Sequence, residues 1–151
     1  MLRVLWLALI TSISLPVLAA ANITLTMRAE QEIRTVINDE VLIRYKAIQR
    51  VRVGDVVTIS INYHNDSDSD AHNVKIDNPI PTGARFVLGS GFGEKAQFLV
   101  SYDNGLSFDD DIKIRKDAVV THVRWLVDDI PARTQGEVGF KLYIEDNNAQ
   151  L

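Results

Sequence analysis

No cysteine occurs among the 151 residues, so disulfides, a thiol nucleophile, thiolate metal sites and a lipidated cysteine are all excluded. A basic excess is also lacking. The 20 acidic and 16 basic residues give a formal net charge of -4, which offers no long-range attraction to nucleic acid or anionic lipid. After residue 21 no long apolar run remains, so no membrane span is expected there. Nor does any later stretch keep an apolar repeat of three to four residues over three turns, the mark of an amphipathic helix. What is present is ordinary for a folded protein: 46% apolar and 24% charged residues, at a length that admits one compact domain.

Residues 1–21, MLRVLWLALITSISLPVLAAA, are arranged as a secretory signal peptide. Arg3 supplies a short positive region, Val4–Ile13 an apolar core, and Ser14–Pro16 a break before the small residues Ala19, Ala20 and Ala21. The apolar core falls short of the roughly 20 residues that span a bilayer. Arg3 is the only charged residue in this segment, so cleavage after Ala21 leaves 130 residues with a net charge of -5. The expected location is the periplasm or the cell exterior, with residues 22–151 forming one domain held by its core alone.

Alternation with a period of two dominates those residues. Along Asp55–His64, Val57, Ile59, Ile61 and Tyr63 share one face, and Thr58, Ser60, Asn62 and His64 the other. Along Gly136–Glu145, Val138, Phe140, Leu142 and Ile144 share a face opposite Gly139 and Lys141. This is the pattern of half-buried strands. Weaker strands are expected at Asn22–Arg28, Glu32–Asn38, Val41–Ala47 after an Asn-Asp turn, Asn73–Asp77, Ala84–Leu88, Ala96–Tyr102, Asp111–Arg115 and Thr121–Val127. Breakers separate them, among them Asn65–Asp70, Pro79 with Pro81, Gly89–Gly93 and Pro131. Asn104-Gly105 is expected to turn Phe98–Tyr102 back into Leu106–Phe108 as a hairpin. Trp125, sharing a face with Val123 and Val127, is expected to pack between sheets. The fold class is all-β, a Greek-key sandwich.

Four stretches carry a family likeness. They are Val53–Ile61 with Asn62–Asn65, then Asp70–Gly83, then Phe98–Phe108 (FLVSYDNGLSF), and finally Val123–Trp125 with Ile130–Ala132 and Gly136–Phe140. In this order the chain resembles the DUF11 family over roughly Ala29 to Glu145. That family is the immunoglobulin-like repeat domain of bacterial surface and secreted proteins. The resemblance implies an immunoglobulin-like sandwich of about seven core strands plus short edge strands, used as a structural or adhesive module. It brings no catalytic residues.

Chemistry candidates are sparse. Asp66, Asp68 and Asp70 are spaced like the first ligands of a calcium loop, with Asp77 at the twelfth position. Ala71 stands where the turn needs glycine, and Asn73 where an apolar anchor belongs. A solvated turn is the expectation, with calcium binding as the alternative. Asp109, Asp110 and Asp111 form a second acidic cluster near Asp103. His64, His72 and His122 match no compact zinc spacing. Ser90, between Gly89 and Gly91, lacks the strand-to-helix turn of a hydrolase nucleophile. Arg44, Lys46, Arg50 and Arg52 lie along one extended segment without the interleaved aromatics of a nucleic-acid face.

The leading expectation is a noncatalytic secreted or cell-envelope module that contacts an envelope or extracellular protein. An unpaired strand at Val41–Ala47 would allow edge pairing with that partner or with another copy. The alternative is a carbohydrate- or calcium-binding sandwich. No cofactor is expected beyond such calcium, and no nucleic-acid partner.

Overall fold

The computed structural model describes residues 21–110 and 118–146. The segment expected to be a signal peptide, apart from Ala21, and the strand expected at Asp111–Arg115 lie outside them. Ten strands run along the described chain: β1 (Ile23–Ile37), β2 (Glu40–Ala47), β3 (Val56–Asn65), β4 (Ala71–Pro79), β5 (Ala84–Phe86), β6 (Phe92–Gly93), β7 (Ala96–Ser101), β8 (Asp109–Asp110), β9 (His122–Ile130) and β10 (Gln135–Ile144). Every pairing is antiparallel. There is no helix among the described residues, so none there is long and apolar enough to cross a membrane.

The strands form two sheets that pack as an immunoglobulin-like β-sandwich. One has the order β2-β1-β3-β10-β5, with β6 also pairing β10; the other has the order β4-β9-β7-β8. The two most strongly alternating segments, β3 and β10, are far apart in sequence and adjacent in the sheet, with Ile61 opposite Val138 and Ile59 opposite Phe140. The chain crosses between sheets after β3, β4, β6 and β9, which gives the Greek-key path.

The core follows from the alternation. Val57, Ile59, Ile61 and Tyr63 of β3 and Val138, Phe140 and Leu142 of β10 are buried against Ile76, Val100, Val123, Trp125 and Val127 of the second sheet. Trp125 is fully buried. Its ring centroid lies 5.2 Å from that of Phe98 and 5.7 Å from that of Phe140, and its indole N–H donates to the Phe92 carbonyl at 3.0 Å. Burial of an indole needs such a partner for its polar end. Gly139 is required by close approach, since an added Cβ would meet the Phe92 ring at 2.3 Å and the Ile59 carbonyl oxygen at 2.4 Å.

Several expectations are corrected. Asn22–Arg28 and Glu32–Asn38 are one continuous strand, β1, because nothing in Ala29-Glu30-Gln31 interrupts an extended backbone. Leu106–Phe108 does not pair in the second sheet. The chain does turn back at Asn104 and Gly105, both at positive φ (60° and 82°), but pairing resumes only where Asp109 and Asp110 meet Val100 and Leu99. The intervening loop is knitted by side chains instead. Residues read only as breakers within Gly89–Gly93 contribute β6, a two-residue strand too short to show alternation.

Candidate functional site

β1 is long enough to serve two neighbours in succession. Its first part, Ile23–Gln31, pairs with β3, and its second part, Glu30–Ile37, pairs with β2. Beyond Gln31 the β1–β2 hairpin therefore leaves the sandwich as a two-stranded arm. Its tip is Asn38-Asp39, both at positive φ (52° and 63°). This two-residue turn suits the right-handed strand twist, and asparagine and aspartate tolerate the left-handed region best among residues with a side chain.

The arm is apolar yet uncovered. Ile33, Val36, Ile37, Val41, Leu42, Ile43 and Tyr45 are all exposed. Residues opposite one another in an antiparallel pair share a face. On one face Val36 thus stands beside Val41, Arg34 beside Ile43 and Glu32 beside Tyr45. Val36, Val41 and Tyr45 keep 67%, 61% and 52% of their surface exposed. On the other face, continuous with the core side of β3, Ile33, Ile37 and Leu42 lie among Glu40, Arg44 and Lys46. Leu25 and Met27 on that same side are exposed as well, so the four-stranded sheet stops short of β1.

β2 is an edge, pairing only with β1 among the described residues. In a two-residue hairpin the residues flanking the turn, Ile37 and Glu40, exchange both backbone hydrogen bonds, and hydrogen-bonded pairs then alternate. The backbone groups of Glu40, Leu42, Arg44 and Lys46 therefore face β1. Those of Val41, Ile43 and Tyr45 face outward, with no strand partner among the described residues.

The root of the arm is fixed by charge. Glu32, the first residue past the β3 pairing, has a buried carboxylate that accepts from Lys141 Nζ at 2.6 Å and from Arg34 Nε at 2.6 Å. The Lys141 ammonium beside it holds the Glu32 carboxyl below its ordinary value, against the opposing effect of burial. Lys141 reaches Glu32 across Thr58 of β3, whose buried hydroxyl has no partner among the described residues.

The acidic residues weighed as alternative calcium ligands each have a separate partner. Asp66 accepts from the Thr24 hydroxyl and lies 3.1 Å from His64 Nε2. Asp68 pairs with Arg133 at 2.8 Å, and Asp70 accepts from the Ala132 backbone N–H at 2.8 Å. Asp77 takes both nitrogens of an Arg124 fork at 2.6 Å, and that guanidinium also covers the Phe108 ring at 3.8 Å. Among the described residues no group of three or more histidine, aspartate or glutamate side chains is placed to hold a metal ion.

Asp103, near the second acidic cluster in the sequence, organises its own loop. Its carboxylate accepts from the Ser101 hydroxyl at 2.8 Å and from the Ser107 N–H and hydroxyl at 2.9 and 2.5 Å. Asp109 and Asp110 form β8, and Asp111 lies outside the described residues. His72 meets Asp129 at 2.5 Å across β4 and β9. His122 lies against Gly105, in the wall of a groove of about 610 Å³ that Ile80, Thr121 and Tyr143 also line. Ser90 ties the turn after β5 to β10: its hydroxyl donates to the Val87 carbonyl at 2.5 Å and accepts from the Lys141 N–H at 2.9 Å. Arg44 and Lys46 sit on β2, and Arg50 and Arg52 in the loop after it.

No protein-family model, curated protein or solved structure matches the chain.

Proposed function

We propose that this chain is an exported, noncatalytic β-sandwich module of the cell envelope or exterior, and that it binds another protein through the β1–β2 arm. One observation carries this: seven large apolar side chains are exposed on a two-stranded hairpin that runs past its own sandwich. A two-stranded ribbon alone is marginal in water, and clustered exposed apolar surface marks an interaction site. An edge with outward backbone groups adds main-chain hydrogen bonds to the apolar contact. Residues 1–21 supply the export signal. The motifs resembling the DUF11 family, whose members serve as structural or adhesive modules, favour the same function.

Pull-down from envelope extract, comparing the protein with a Val41→Lys/Ile43→Lys variant, tests the proposal. Both positions are exposed, so the variant should keep its circular dichroism and melting temperature while losing the proteins retained by the original. Equal retention by both would remove the arm as the binding element. A monomer that retains nothing would remove the proposal itself.

A further inference from the structure

We propose, building on the arm as an interaction element, that the occupant of the β2 edge is β2 of a second copy of this chain, paired antiparallel about Ile43. The strand is self-complementary in that register. Glu40 of each copy faces Lys46 of the other, Val41 faces Tyr45, Leu42 faces Arg44, and Ile43 faces itself. Opposite charges thus close both ends of the joint. Each apolar residue with outward backbone groups meets another of the same kind, forming about six ladder hydrogen bonds.

Neighbouring registers are worse. A one-residue slip sets outward backbone groups against inward ones. Centring on Arg44 opposes Arg44 to itself, and centring on Tyr45 opposes Arg44 to Lys46, both like-charge contacts. Centring on Leu42 shortens the overlap and carries Tyr45 against Asp39 in the turn.

The two-fold axis of such a pair stands perpendicular to the sheet, so the contact is isologous and closes on itself. Both copies then present Val41, Ile43 and Tyr45 on the same face. These side chains become one apolar band along the two joined β2 strands, with Val36 of each copy extending it at the Val41 end and Arg34 and Glu32 bordering it elsewhere. The Arg44 stem lies over Leu42 of the partner copy on the opposite face and keeps its charge in water.

The absence of cysteine makes the register directly readable. Leu42 and Arg44 would form a non-hydrogen-bonded pair with Cα atoms about 4.5 Å apart, within disulfide reach. L42C and R44C variants, made from the full 151-residue chain with whatever processing it undergoes, are oxidised separately and as a mixture. The expected product is the mixed L42C–R44C disulfide, with little of either homodimer. Predominance of a homodimer would overturn the register, and failure to form any cross-link would overturn the second copy as occupant.

Charge reversal supplies an independent check on folded protein. K46E should weaken self-association about tenfold in sedimentation equilibrium, and E40K/K46E should restore it. A double variant no tighter than K46E would overturn the end-to-end charge pairing. A strictly monomeric protein that still captures envelope proteins through Val41 and Ile43 would defeat this inference while leaving the interaction function standing.

Discussion

At the end of β3 the fully buried Asn65 ties two crossings of the chain together. Its amide N–H₂ donates to the Ser69 and Ile130 carbonyls at 2.8 and 3.0 Å, while its carbonyl accepts from the Ser67 N–H and hydroxyl at 3.1 and 2.7 Å. The local half of this arrangement is legible in the sequence, since asparagine after a strand shapes the following turn. The Ile130 bond is not, because it joins positions brought together only by the fold. Asn65→Ala leaves buried backbone carbonyls unpaired and should cost about 3 kcal/mol in denaturant unfolding.

Asp103 illustrates the same division. Hydrogen bonds from the Ser107 hydroxyl and N–H, then from Ser101, hold its carboxyl far below the usual aspartate range. A depressed value means that the loop gains stability above the unfolded-state value near 4. The gain is lost as pH falls through the folded value. NMR titration should therefore show the Asp103 side-chain carboxyl carbon unchanged between pH 7 and pH 4, moving only in stronger acid. A midpoint in the ordinary aspartate range would contradict the hydrogen-bond set. The Asn104-Gly105 turn is visible from its dipeptide, but the serine partners of Asp103 that delay strand pairing to Asp109 are not.

At the scale of elements, the arm owes its direction to the root at Glu32. Replacing Lys141 with methionine keeps much of the stem and removes the charge, leaving a buried carboxylate with Arg34 as its remaining cation. The expected loss is about 3 kcal/mol, the low end for breaking a buried pair, because Arg34 stays. Since the Glu32 carboxyl is held low, its contribution is present at neutral pH and lost in acid below the ordinary glutamate value. Hydrogen exchange should show arm amides loosening in Lys141→Met before those of β3 and β10. Alternation along Glu40–Ala47 announces a strand and its turn, and shows which side chains share a face. It does not show whether a second sheet covers that face. The exposure of Val41 and Tyr45 is accordingly a fact of the fold, as is the reach of Lys141 across β3 to Glu32.

For the molecule as a whole, the sandwich is written in the sequence wherever both faces of a strand have different solvents. Val57–Tyr63, Val138–Leu142 and Val123–Val127 turn their apolar faces inward as their spacing requires, and Trp125 closes the core. Where the spacing is short or the partners distant, as with Asp66, Asp68, Asp70 and Asp77, proximity in sequence does not become proximity around one point. Those carboxylates instead meet separate partners: Thr24 and His64 for Asp66, Arg133 for Asp68, the Ala132 N–H for Asp70 and Arg124 for Asp77. The molecule thus combines a buried apolar core with an arm whose apolar side chains are exposed, and that contrast is the basis of the proposed role in binding.

Residue-resolved amide hydrogen exchange across β2 at increasing protein concentration tests the central claim most directly. The Leu42, Arg44 and Lys46 amides should be slowed at every concentration by their bonds to β1. The Val41, Ile43 and Tyr45 amides should exchange freely when dilute and become protected as the edge is paired. Free exchange of those three at all concentrations, with β3 and β10 fully protected throughout, would contradict the pairing of this edge.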